Sequence, residues 1–585
     1  MNPENFCLRP NPENPKEKTE QEKPLLEPRR LNYISSSLKL LKPERTEKEN
    51  GQVEEERWQD LHERVGGFEN SIDLSDQIRK IAVEWVGKKI PELKKEAPTL
   101  KNLPDEKLSF ALANNWFSEL PEVEGQRREV LLAVMASVAK RIEARMWYKT
   151  LERMDENDLN KMGIDSSERD LLADLLKTGS KANPLFVRFL AYSQLSPEAS
   201  KKAGLQMFDV PGQKELFSLS RMFPKETGFL SAKFKKLFED SKDKAWSNKP
   251  GGQEMARLLE LMSKIYAKDT SAPEAQSLQE QIDQASDELI KSAFPIAIIP
   301  SMEGMYKEKH VDPEIKICVK SRDCLEQDKK FEKAKNVMAD CLEKSGLKKF
   351  AESLSEKKTQ SLIDIGEFGV NVAFKAVAQE SKGTNVIFVN EQRRSYDANF
   401  SKYLDLISNA KEAFAGISEE QKQAMARMLS MFHEYSHLHP EESTGAKRLG
   451  EKAEAVICEA EADSVYRAFL PEIIEQGGIE GTKEQWACAM LASSLQELKD
   501  PESYAKSGAY TLKAALQEGA ISWNANHLTI NDYDKLFAIQ RKSAQEILSL
   551  YKDTAMTESK ANAWVNKNCL DKTVNEIIEF MAEQP

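Results

Sequence analysis

The sequence predicts an α+β fold that is predominantly α-helical, with a large N-terminal helical region and a small β-sheet just upstream of a second helical region. Three observations predict it. Before residue 294 apolar residues recur at i, i+3, i+4 and i+7, the stripe of amphipathic helices. From Phe294 to about residue 395 the texture changes to short apolar runs and period-two alternation, the mark of strands. From residue 396 the helical period returns and continues to the end of the 585-residue chain. We therefore divide the chain into a tail (1–55), an N-terminal helical region (56–293), a β-containing region (294–395) and a C-terminal helical region (396–585).

The tail holds seven prolines, many charges and little periodic apolar content, a composition that favours disorder. Its Asn-Pro-Glu-Asn tetrad occurs at Asn2 and again at Asn11, as chance allows in so biased a stretch. In the helical region, Ile78, Ile81, Ala82 and Trp85 form one stripe. Val130, Leu131, Val134, Val138 and Ile142 form another, running into Met146-Trp147-Tyr148. Asp155-Glu156-Asn157-Asp158 has calcium-loop composition but lacks the glycine and terminal glutamate such a loop requires. Asn248 to Gly252 and Lys268 to Pro273 are breaks, and a polar helix is expected over about 274–292. Strands are expected over 294–300, 315–319, 368–374 and 385–389, with a helix over about 328–354. A sheet edge here could pair with an extended peptide. One helix is expected over 396–415. Ser418-Glu419-Glu420-Gln421 then fits a capping box, and Met425, Met428, Leu429 and Phe432 make the buried stripe of the helix it starts. A second helix is expected from about Glu451 to Leu470, ended by Pro471, followed by helices over 483–498 and 503–518. His527 falls in a polar loop.

Charged residues make up 31% of the chain and the net charge is −12. The mean hydropathy is −0.58. That balance argues against a nucleic-acid partner, and no apolar run is long enough for a membrane span. The N-terminus carries no apolar signal core. Seven scattered cysteines form neither a disulfide framework nor a zinc-finger spacing, which favours a reducing, cytoplasmic setting. Cys458 reads as a small buried thiol.

One short stretch organises the C-terminal half: His433-Glu434-Tyr435-Ser436-His437. Histidines at i and i+4 lie about 40° apart around a helix, so both imidazoles reach one tetrahedral Zn²⁺. Glu434 can act as general base on a water at that metal. With six histidines in the chain, a chance His-Glu-x-x-His is expected roughly 0.01 times. A His₂ site needs a third ligand, and Glu459 follows His437 by 22 residues. Asp463, one turn further, is spaced to accept a ring N–H from a ligand histidine. His439, beside Pro440, reads as a helix-end residue. The pattern points to metal-assisted hydrolysis; the family resemblance that follows implies a peptide or protein as the substrate.

These residues resemble the site of the gluzincins, zinc peptidases with two His ligands and one Glu. His433, Glu434 and His437 match the family's His-Glu-x-x-His, Glu459 its third ligand and Asp463 its supporting aspartate. Thermolysin-like enzymes and the large zinc aminopeptidases place the glutamate roughly twenty residues after the second histidine, similar to the spacing here. Dipeptidyl peptidase III-like enzymes carry a similar acidic run much further downstream, and are the weaker match. The resemblance implies a stabiliser for the transition-state oxyanion. His527 is the candidate by analogy with thermolysin-like enzymes, and Tyr504 or Tyr510 by analogy with aminopeptidases. The Gly-x-Met-Glu-Asn exopeptidase signature is absent, which places an endopeptidase or oligopeptidase first and an exopeptidase of the aminopeptidase or dipeptidyl peptidase III kind second. A zinc-binding scaffold without catalysis is the third reading. The resemblance covers about 385–527, and the long region before residue 294 resembles nothing nameable.

Overall fold

The computed structural model describes most of residues 61–583; outside the described residues lie 1–60, 110–139, 196–206, 209–216, 302–313, 369–375, 396–399, 438–447 and several shorter stretches. The expectations for the tail, for the Val130–Val138 stripe, for a strand over 369–374 and for His439 fall there. The described chain is mostly helical with a small sheet, the α+β class expected.

The chain forms two compact units. One comprises the described residues of 61–323 together with 362–368; the other comprises 324–361 and 374–585. The 294–395 segment thus contributes to both.

In the first unit, α1 (Ser71–Gly87) starts at Asn70, whose side chain accepts from the Ile72 and Asp73 amides, and it buries Ile78, Ile81 and Ala82 as the stripe predicts. The expected non-calcium stretch is a helix start: Asp155 caps residues 156–162 through the Asp158 amide. Helices α2 (Ser166–Leu195), α3 (Pro224–Ser241), α4 (Gly252–Ile265) and α5 (Ala272–Lys291) follow. Helix α5 packs on β1 (Ile296–Ser301), with Ser286 Oγ donating to the Ile298 carbonyl at 2.7 Å. Strand β1 pairs antiparallel with β2 (Glu314–Val319), and β2 with β3 (Lys358–Phe368). The sequence places the third strand at 368–374, whereas β3 lies upstream of it; its burial runs nearly unbroken from Thr359 to Phe368, so it lacks the alternation that marks a one-sided strand.

In the second unit the helix expected over 328–354 is two helices, α6 (Arg322–Lys344, of which residues from Cys324 belong here) and α7 (Lys348–Glu356). Gly346 separates them at φ 75°, with the Leu347 amide bonded back to the Leu342 carbonyl at 2.9 Å. Strands β4 (Ala376–Gln379) and β5 (Thr384–Phe388) pair antiparallel. The expected helix over 396–415 is described only as short pieces at 401–405 and 410–413.

Helix α8 (Glu419–Tyr435) opens with the predicted Ser418–Gln421 capping box and packs beside β4 and β5. Helix α9 (Glu451–Glu475) passes through Pro471 instead of stopping there. Its packing outweighs the lost hydrogen bond, and Arg541 donates to the nearby Ala468 carbonyl at 3.2 Å. Nearly every residue of α9 from Ala453 to Leu470 is buried, because α8, α10 (Lys483–Glu497), α11 (Glu502–Gln517), α12 (Tyr533–Lys552) and α13 (Glu558–Cys569) pack around it. A short hairpin, β6 (Ile521–Asn524) and β7 (His527–Ile530), lies between α11 and α12.

Candidate metal centre

A helix enclosed on every side normally carries apolar residues throughout. Helix α9 instead buries Glu454, Glu459, Glu461, Asp463 and Arg467. Buried charge is costly unless paired, so the partners of these groups reveal what the helix is for.

The partners of two of them include the histidines of α8. His433 Nδ1 lies 3.0 Å from Asp463 Oδ1, and His433 Nε2 lies 3.1 Å from Glu459 Oε2. Ring donor atoms of His433 and His437 and a carboxylate oxygen of Glu459 all fall within 4.8 Å of one another. The two imidazoles meet edge to face at 4.9 Å. His437 does not sit on the helix with His433. Helix α8 ends at Tyr435 with Ser436 as its cap, and His437 is the next residue. Its backbone carbonyl accepts from Lys357 Nζ, and its Nδ1 faces Cys458 Sγ at 3.3 Å. Glu434 is half-buried, within reach of water.

The donor set fits a divalent cation. Bonds of about 2.0–2.2 Å at tetrahedral angles put ligand atoms roughly 3.3–3.6 Å apart, close to the 3.1 Å between His433 Nε2 and Glu459 Oε2. Two imidazoles and one carboxylate suit Zn²⁺ and leave one position open. The electrostatics agree. Burial opposes a charge on His433, but Asp463 and Glu459 outweigh it and hold the ring well above its ordinary pKa. The cradle therefore attracts positive charge to that ring.

Asp463 is itself held in place. Burial would raise its pKa, yet the Arg467 guanidinium and His433 keep it well below the usual carboxylate range. Arg467 Nη2 lies 3.2 Å from Asp463 and 3.3 Å from Glu497, while its other nitrogens reach Tyr466, Ser494 and Thr511. Burial and the Asp463 charge push Glu497 well above its ordinary value. Ser507 Oγ donates to the second Asp463 oxygen at 2.6 Å.

The structure thus brings together His433, His437, Glu459 and Asp463, with Glu434 next to the first ligand. His527 is not in a loop. It opens β7, is exposed, and sets its Nδ1 against the Ala525 carbonyl at 2.9 Å. The two turn residues before it, Ala525 and Asn526, both have positive φ, the two-residue hairpin geometry that matches strand twist. Of the two tyrosines, Tyr510 is core, its hydroxyl donating to the Ser543 carbonyl. Tyr504 lies beside the centre, its ring centroid 6.5 Å from that of His433. Sequence reasoning missed Arg467, Glu497 and Ser507. Arg467 was findable as the residue one turn beyond Asp463; Glu497 and Ser507 lie on other helices and carried no signal. Cys458, expected to be buried, is half-buried against His437.

The fold aligns with that of DPP III from Caldithrix abyssi, with a TM-score of 0.50, 13% identity, and coverage of 79% of this chain and 93% of that one. Dipeptidyl-peptidase III from Corallococcus sp. strain EGB aligns at a TM-score of 0.48 and 17% identity, over 68% of this chain and 75% of that one. No protein family model matches the sequence, and no curated protein matches it. The described chain contains no helix long and apolar enough to cross a membrane. The likeness in fold is to the branch that the 22-residue spacing disfavours, and that spacing is where this chain departs from the dipeptidyl peptidase III pattern.

Proposed function

We propose that this chain hydrolyses peptide bonds with a zinc ion held by His433, His437 and Glu459, acting as an exopeptidase of the dipeptidyl peptidase III kind. The observation that carries the reading is the convergence of these three ligands, next to Glu434, in a fold that aligns with most of DPP III from Caldithrix abyssi. Zinc in such a site supplies Lewis acidity and lowers the pKa of water toward about 7.

The chain's own residues do the rest. Glu434 accepts a proton from the attacking water and delivers it to the leaving amine. Asp463, backed by Arg467 and Ser507, fixes the tautomer of His433 so that Nε2 faces the ligand position. For the oxyanion, the proximity of Tyr504 to His433 supports the tyrosine. The hairpin contact and exposure of His527 lend that residue no such support.

Product mapping by mass spectrometry on peptides of varied length tests the proposal. Dipeptides released from free N-termini support it; internal cuts would return the endopeptidase reading to first place. Zinc bound without any cleavage, across a broad peptide library, would leave a zinc-binding scaffold. Glu434→Gln is expected to keep zinc and fold while lowering kcat at least about 100-fold.

A further inference from the structure

Asp463 faces His433, and His437 needs a hold of its own. It lies just past the end of α8, where the helical hydrogen-bond ladder no longer sets its backbone. Its backbone and its ring each meet a neighbour. Lys357 Nζ donates to its carbonyl, and Lys335 Nζ in turn donates to the Lys357 carbonyl at 2.6 Å, which ties down that backbone. The ring is met by Cys458 Sγ at 3.3 Å from Nδ1.

We propose that Cys458 is the positioning residue for His437, accepting its Nδ1–H through sulfur and so presenting Nε2 to the metal. The inference rests on the zinc reading above. Three residues of one helix then handle the ligand set: Cys458 aims His437, Glu459 ligates, and Asp463 aims His433. The geometry follows from the helix, since neighbours at i−1 and i+4 flank the face that residue i presents. The acceptors differ in kind: a buried carboxylate backed by Arg467 faces His433, and a neutral, soft thiol faces His437. The other described cysteines are buried, whereas Cys458 is half-buried against His437.

The test measures zinc affinity of the metal-free full chain by chelator competition, for wild type, Cys458→Ala and Cys458→Ser. Cys458→Ala is expected to weaken zinc about 10-fold, the low end for loss of such a partner. Cys458→Ser is expected to recover most of that loss, because a hydroxyl oxygen also accepts the Nδ1–H. The visible spectrum of the cobalt-substituted protein should shift in Cys458→Ala and return toward wild type in Cys458→Ser. Alanine binding within twofold of wild type, or serine no better than alanine, overturns the proposal. If Cys458→Ala does not fold, the serine variant and its cobalt spectrum decide, and an affinity tenfold below wild type would overturn it. A wild type that binds no zinc would instead refute the metal reading itself, which keeps the two failures apart.

Discussion

Replacing Arg467 with methionine tests the cluster behind the metal centre. The guanidinium is fully buried and reaches Asp463, Glu497, Tyr466, Ser494 and Thr511. Methionine fills much of the same volume but provides no charge and no donors. Asp463 would keep Ser507, His433 and Glu497 as partners but no fixed cation, and its carboxylate would stay in a site from which water is excluded. Removing one partner of a buried ion pair costs about 3–5 kcal/mol, because the remaining charge is uncompensated. Part of that cost is avoided if Asp463 takes up a proton. A protonated Asp463 no longer accepts from His433 Nδ1, so zinc affinity should then fall about 10- to 100-fold. Urea unfolding of the metal-free protein and chelator competition for zinc measure the two effects. A stability loss below about 1 kcal/mol together with zinc affinity within twofold of wild type would refute the argument that Arg467 holds Asp463 in its charged, orienting form.

The remaining expectations are narrower. Tyr504→Phe should lower kcat about 100-fold or more with KM and zinc content little changed, if its hydroxyl stabilises the oxyanion; an unchanged kcat would return attention to His527. Glu459→Gln should weaken zinc binding sharply while the fold is kept, as read by metal analysis and circular dichroism; full zinc occupancy at sub-micromolar metal would remove Glu459 from the ligand set. In the other unit, burial opposes the Asp165 charge, but Lys249, Ser167 and the Glu168 amide together outweigh it and bring its pKa down from 3.8 to about 2. A folded value below the unfolded one means the contribution is present above about pH 4 and is lost as pH falls through about 2. Asp165 caps α2 through the Ser167 and Glu168 amides, so Asp165→Ala should cost about 1 kcal/mol at neutral pH and flatten the stability profile between pH 4 and 2. A variant as stable as wild type at pH 7 would contradict the cap.

The candidate ligand set was legible because metal chemistry restricts residue type and local spacing together. His433, Glu434 and His437 satisfy a rule written within one turn of chain, and Glu459 and Asp463 satisfy another. Capping chemistry was legible for the same reason: Ser418 and Gln421 act on each other across three residues. Strand β3 was not, since a strand buried on both faces has no alternation to read. The hairpin at His527 was missed because its turn is Ala525-Asn526, without the glycine that normally announces such geometry.

By itself, then, the sequence determined the α+β class and named the candidate residues that the structure brings together around His433, since both depend on periodicity and spacing along the chain. Tertiary structure decided which groups hold those ligands in place. Arg467 lies one turn from Asp463 on α9, but Glu497 and Ser507 come from two other helices and meet Arg467 or Asp463 only once α9 is enclosed. Cys458 meets His437 only because α8 stops short of that histidine. The overall fold also moved the comparison toward dipeptidyl peptidase III, a likeness carried by the arrangement of elements at 13% identity. The physical reason is common to all three: burial and the partners of a buried charge are properties of packing between distant segments, and no local pattern encodes them.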